Sequence, residues 1–157
     1  MTDELETTPQ PQGPQVGFLA QYVKDLSFEH PNAPRSLQGS EGEPRIDVNV
    51  GVGAQPLAEN VYEVELKIRA VARNAELTLF IADLTYAGLF ALNGFPAEQL
   101  DLFLRIEGPR LLFPFARRIL ADVTRDGGFP PLLLEPMDFG GMYMQSLQQQ
   151  QAEAPIQ

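Results

Sequence analysis

Cysteine is absent from this 157-residue chain, and histidine occurs once. The first absence excludes disulfides and cysteine nucleophiles. The second, with carboxylates scattered rather than clustered, leaves no recognisable metal-ligand spacing. No apolar run approaches the ~18 residues that a membrane span requires. Residues 1–14 are polar and dotted with proline, without the apolar stretch of a signal peptide. Cations are scarce too: 11 lysines and arginines face 21 acidic residues, for a formal charge of −10. Such a chain repels phosphate backbones, which argues against a nucleic-acid partner, and it favours a partner with a basic surface. The charge by itself fits simple solubility equally well. Together these absences predict a soluble, cytosolic protein that does not insert into a membrane.

What is present is a single domain's worth of apolar residues, 44% of the chain. Residues 1–14 and 148–157 read as disordered or flexible ends around a folded domain at 15–147. Within it, period-two alternation comes first. Ile46, Val48, Val50 and Val52 alternate with Asp47, Asn49, Gly51 and Gly53, and Tyr62, Val64, Leu66 and Ile68 alternate with Glu63, Glu65, Lys67 and Arg69. Both runs predict half-buried strands. "YVKDLSFEHPNAP" at 22–34 alternates similarly, which places Tyr22, Lys24, Leu26 and Phe28 on one face and Val23, Asp25, Ser27 and Glu29 on the other. "ELTLFIADLTYAGLFAL", from Glu76, is apolar on both sides and predicts a fourth, better covered strand after a turn at 73–76.

After Gly94 the period lengthens. Residues 97–107 read as a short helix that Gly108–Pro109 interrupts. Leu112, Phe115, Ala116, Ile119, Leu120 and Val123 then form a strong helical stripe. A Gly- and Pro-rich loop at 126–138 follows, and Asp138 is placed to cap a last helix. Strands followed by helices predict an α+β fold, an antiparallel sheet with two helices packed on one face.

Chemistry is hard to assemble from these residues. His30 sits beside Pro31 in a loop with no cysteine to pair with, and no GxSxG elbow is present. Gly51 and Gly53 make an isolated GxG inside a strand. Asp25 and Glu29 share a strand face about 13 Å apart at ~3.3 Å per residue, too far to share a proton. An enzyme is not expected. The unusual segments are apolar loops: "FPPLLLEPMDF" at 129–139, and the connection at 31–44 that carries Leu37. Long apolar loops suggest an exposed binding surface. That these side chains merely cap the core remains open at this level.

Several stretches in order resemble one family, the protein-export chaperone SecB. They are "YVKDLSFEHPNAP", "LAENVYEVEL" at 57–66, "YAGLFALNG" at 86–94, "LLFPFARRIL" at 111–120 and "GGFPPLLLEPMDFGGMYMQSLQQQ" at 127–150. The resemblance runs from about Phe18 to Gln151 and implies a homotetramer, a dimer of dimers, without enzymatic activity and without a nucleotide or metal of its own. It implies a cytoplasmic holdase that binds unfolded precursor proteins, keeps them competent for translocation and passes them to the ATPase SecA. A SecB-like chaperone dedicated to one unstable partner, such as an antitoxin, is the alternative.

The resemblance also implies site residues. The SecA-contacting positions match Asp25, Glu29, Ile81 and Asp83, where Asp83 replaces an expected glutamate. The grooves for unfolded substrate would be bordered by the two apolar loops and involve Leu37, Ile46, Val48, Phe129, Leu132, Leu134, Met137 and Met142. The first long helix would contribute Leu112, Phe115 and Ile119 to the interface between dimers. Parity supports the first of these sites: if Leu26, Phe28, Ile46, Val48, Tyr62, Val64 and Leu66 face the helices, the opposite face carries Asp25, Glu29, Asp47, Glu63, Glu65 and Asp83.

Overall fold

The computed structural model describes residues 13–39, 42–75 and 77–153, and four strands and the helices that follow them make its frame. The strands are β1 (Gln15–Glu29), β2 (Arg45–Ala58), β3 (Val61–Arg73) and β4 (Thr78–Asn93). They form one antiparallel sheet in the order β1-β4-β3-β2. Two tight connections build its β2-β3-β4 part. Asn60 turns the first with φ of 59°, a left-handed conformation that asparagine tolerates better than most residues. Asn74 closes the second: its side-chain oxygen accepts the Leu77 N–H at 2.8 Å. Because β1 lies at the far edge from β2, the chain from His30 to Pro44 must cross two intervening strands. A short 3₁₀ turn at Arg35–Leu37 lies in that crossover, and the Asn32 amide ties it to the Thr78 carbonyl at 2.9 Å.

The even positions of β3 and β4 make the floor of the core. Val64, Leu66, Ile68, Ala70, Ala82, Leu84 and Phe90 are all at most 2% exposed. Helix α2 (Gly108–Asp126) lies on this floor through Leu112, Ala116 and Leu120, which are completely buried. Gly88 of β4 lets it come close. A Cβ there would sit 2.8 Å from Leu112 Cδ2 and 2.9 Å from a Phe18 ring carbon.

The expected break at Gly108–Pro109 does not occur. Helix α1 (Ala97–Leu102) runs into a π-helical turn, Phe103–Glu107, and continues as α2. The wider turn lets the Gly108 N–H reach the Phe103 carbonyl, and Pro109 falls in the first turn of α2, where its missing N–H costs little. Helix α3 (Phe139–Glu153) begins as expected at Asp138, whose carboxylate accepts the Gly141 N–H at 2.9 Å. It extends through residues 148–153, so the expected flexible tail is helical there; residues 1–12 and 154–157 lie outside the described residues.

Candidate functional site

Two faces of the sheet carry the candidate surfaces. On the face away from the helices, strand register arranges side chains in rows. Glu29 of β1 lies opposite Ile81 of β4, Ile81 opposite Val71 of β3, and Val71 opposite Asp47 of β2. The next row reads Ser27, Asp83, Arg69, Asn49, and the next Asp25, Thr85, Lys67, Gly51. Asp25, Glu29, Ile81 and Asp83 therefore form one contiguous patch at the β1–β4 corner. Val71 and Asp47 extend its edge across the sheet, roughly 14 Å from Glu29 at the usual ~4.8 Å strand spacing. Val71 joins this edge only through its pairing with Ile81, which alternation along β3 alone does not reveal.

Alternation along β1 does not hold. Register shifts occur between Phe18 and Ala20 and between Val23 and Asp25. Each bulge inserts an extra residue and flips the parity beyond it. Tyr22 and Lys24 consequently join Asp25 on the outer face, contrary to the strict two-residue reading, and Val23 turns towards the helix side beside Tyr86. Tyr22 and Lys24 reach over the small, buried Ala87 of β4 to β3. There Glu63 accepts hydrogen bonds from Tyr22 Oη, from Lys24 Nζ at 3.0 Å and from Gln55 Nε2 of β2 at 2.9 Å. Burial alone would raise the Glu63 pKa, but these donors win and hold it at about 2, below the ordinary 4.5. Burial and the bond to Glu63 push Tyr22 up to about 12. Lys24, bonded to Glu65 and Glu63, is raised as well.

The outer face is thus not the uniformly acidic plate that parity suggested. Glu63 and Glu65 are bonded to Lys24, Asp83 is paired with Arg69 at 2.9 Å, and Asp47 is paired with Arg45 at 3.4 Å. Asp25 and Glu29 have no ion-pair or hydrogen-bond partner for their carboxylates among the described residues, and both are exposed. Among the described carboxylates of this corner, these two are left open to a cation from elsewhere.

On the helix side, two adjoining cavities of about 450 and 520 Å³ lie between β2 and α3. Val48, Val50 and Val52 form one wall; Met137, Phe139, Met142 and Leu147 form the other. Asp101, Arg105 and Tyr143 give one end a polar rim, where Tyr143 hydrogen-bonds Asp101 and Arg105 donates to the Val52 carbonyl at 3.1 Å. The Asp101 bond raises the Tyr143 pKa. Of the predicted groove residues, Val48, Met137 and Met142 meet here, and Ile46 is exposed farther along the same face of β2. Leu37 and Phe129 meet elsewhere. Phe129 packs against Phe28, His30 and Phe80 with ring centroids 4.5–6.4 Å apart, and Leu37 lies over Gly128. Leu132 is half-buried, and its N–H is held by the buried Thr124 hydroxyl at 2.9 Å. Leu134, expected in the groove, is instead within the core at 6% exposed, so it offers a bound chain little surface. The wall residues Val50, Val52 and Leu147 were missed because burial in their own strand or helix explained them in the sequence.

A third surface is apolar and uncovered. Val16, Phe18, Val23 and Leu26 of β1, with Leu111 and Phe115 of α2, are each 41–49% exposed on the helix side. Phe115 stacks near Tyr86, and Ile119 is half-buried. Leu112, expected at an interface, is fully buried against the sheet instead, since its side chain meets β4 at Gly88. His30 hydrogen-bonds Ser36 and packs on Phe129, which closes the crossover loop onto the aromatic cluster.

A family model for the preprotein translocase subunit SecB matches residues 9–150. The chain belongs to the SecB family. Among curated relatives, a protein-export protein SecB of Zymomonas mobilis is 56% identical over 137 residues, covering 87% of this chain and 83% of that protein. One of Rhizorhabdus wittichii is 55% identical over 144 residues, covering 92% and 86%. A SecB-like chaperone of Mycobacterium tuberculosis, solved with a ChAD peptide from the HigA1 antitoxin, shares the fold with a TM-score of 0.65 at 19% identity. That likeness covers 78% of this chain and 91% of the solved one. The SecB fold here is the four-stranded antiparallel sheet with the α1–α2 run and α3 on one side. No helix among the described residues is long and apolar enough to cross a membrane.

Proposed function

We propose that this protein is a cytoplasmic protein-export chaperone that holds unfolded precursors on its helix side and presents them to SecA through its outer sheet face. The observation that carries this reading is the separation of two unlike surfaces. The groove between β2 and α3 is apolar and methionine-bearing, whereas the β1–β4 corner of the other face offers Asp25 and Glu29 without partners among the described residues. An extended client seats apolar side chains against Val48, Met137 and Met142, each large side chain contributing roughly 1.5–3 kcal/mol before ordering costs are subtracted. Thioethers adapt to many shapes, so the contact does not demand a sequence.

The apolar strip of β1 and α2 is the surface for self-association, and the expected assembly is a dimer of dimers. Repetition of shallow subsites around such an assembly raises affinity by multivalency. Its family is one of chaperones rather than enzymes, and release needs only a competing partner. A chaperone dedicated to one antitoxin is the less favoured reading, because the relatives at 49–56% identity are named for protein export.

Binding of purified SecA to the wild type and to an Asp25→Ala/Glu29→Ala variant tests the reading. The variant is expected to lose SecA affinity while keeping its oligomer and its hold on a denatured precursor. A chain that stays monomeric and fails to suppress precursor aggregation sinks it.

A further inference from the structure

The outer face carries an arginine in a place that a basic partner would have to contest. Asp83 is one of the carboxylates of the β1–β4 corner, and it is not free: Arg69 stands directly opposite on β3, with its guanidinium 2.9 Å from the Asp83 carboxylate. The two side chains are 52% and 34% exposed, so both are reachable from solvent. Around them the surface dips into a shallow depression of about 480 Å³, walled by Asp25 and Asp83 on one side and by Lys67 and Arg69 on the other. A partner cation approaching Asp83 therefore meets a cation that already occupies its seat. Asp25 and Glu29, which flank Asp83 across the β1–β4 pairing, have no such rival among the described residues.

We propose that Arg69 is an intramolecular competitor that attenuates docking of the basic partner by holding Asp83. This rests on the SecA-docking reading and adds to it a residue that sets affinity from within the face. The physical argument has two parts. An exposed ion pair is weak, so a partner can displace Arg69 rather than being excluded. The displaced guanidinium nonetheless stays within a few ångströms, where its charge repels a basic surface at low salt and is screened at high salt. The arrangement weakens and speeds exchange on the docking face without removing any contact residue, which suits a chaperone that must let its receptor go.

The test is a salt series of SecA binding to the wild type, Arg69→Gln, Arg69→Lys, Asp83→Asn, the Arg69→Gln/Asp83→Asn double variant, and Asp25→Ala. Arg69→Gln is expected to bind roughly two- to tenfold tighter at low salt, with the gain fading as salt rises. Arg69→Lys, which keeps the charge, should stay near wild type, and that outcome separates charge from packing. Asp83→Asn should cost more affinity in the Arg69→Gln background than in the wild type, because only there is Asp83 unoccupied. Equal or weaker binding by Arg69→Gln, while Asp25→Ala still weakens docking, overturns the competitor but leaves the docking face standing. If neither Asp25→Ala nor Arg69→Gln alters affinity, the docking face is elsewhere and the competitor falls with it. Circular dichroism and size exclusion of each variant establish that the fold and assembly are intact.

Discussion

The two sides of this sheet are opposite in character. The outer face is built from directional bonds: Glu63 alone collects donors from β1 and β2 while standing on β3, and the small Ala87 leaves the path between them open. Such a lattice fixes the side chains it bonds, and Asp25 and Glu29 project beside it without a partner among the described residues. The helix side has the reverse character. Its groove is lined by valines and methionines whose contacts have no preferred direction, and its far wall, α3, is mostly exposed and glutamine-rich beyond Leu147. On the proposed reading, one side would suit one partner and the other many. A single sheet carries both because successive residues of a strand point to opposite faces.

The largest expected effect comes from striking what both sides share. Leu112→Ala removes a completely buried side chain from beneath the sheet and should cost about 2–5 kcal/mol, measured by urea unfolding. Loss of client binding and of SecA binding together is expected from it. Thr124→Val separates the sides. Thr124 Oγ1 accepts the Leu132 N–H and bonds back to the Leu120 carbonyl at 2.8 Å, so it anchors the loop between α2 and α3. Its loss leaves a poorly paired backbone N–H, about 1–3 kcal/mol, and should loosen the groove while SecA affinity stays near wild type.

How far these regions could be read from the sequence differs in the same way. β3 was legible because its helix-side positions from Val64 to Ala72 are buried, and alternation then has a single meaning; the same alternation in β2 marks a face that is only partly covered, since Ile46 and Val48 stay exposed. β1 was not, because its two bulges are set by pairing with β4, and nothing local to Tyr22–Val23–Lys24 signals them. Gly108–Pro109 read as a break on propensity, yet a π-turn and packing of the buried Pro109 carry the helix through. The groove was half legible: Met137 and Met142 sit in a loop-to-helix junction that no core pattern claims, whereas Leu134 sits in the same apolar run and points inward. Direction of a loop side chain depends on which backbone groups are tied down, here the Leu134 carbonyl by Arg117 Nε at 2.7 Å.

Glu63→Gln probes the outer lattice. A folded pKa of about 2, depressed from 4.5, means that the ionised carboxylate stabilises the fold above about pH 4.5 and loses that contribution as pH falls towards 2. The wild type should therefore show a stability loss on acidification through that window that the variant lacks in part. At neutral pH the variant should be less stable by about 1–2 kcal/mol, with client binding unchanged. The smallest effect is expected from Val48→Ser, which lowers the apolarity of one groove wall. About a fivefold loss of affinity for a denatured precursor is expected, with SecA binding and unfolding midpoint little changed. A Val48→Ser effect on SecA affinity larger than on client affinity would erase the distinction between the two sides.

The π-turn at Phe103–Glu107 has one further consequence, which concerns phase. A π-turn holds one residue more than an α-turn, and one residue corresponds to about 100° of rotation. Everything upstream of it is thereby dialled round relative to α2. With the extra residue in place, Asp101 looks into the groove, while Leu112, Ala116 and Leu120 look at the sheet. A single helical rod thus addresses two directions, and its length of one residue, rather than the identity of any residue, sets the angle between them.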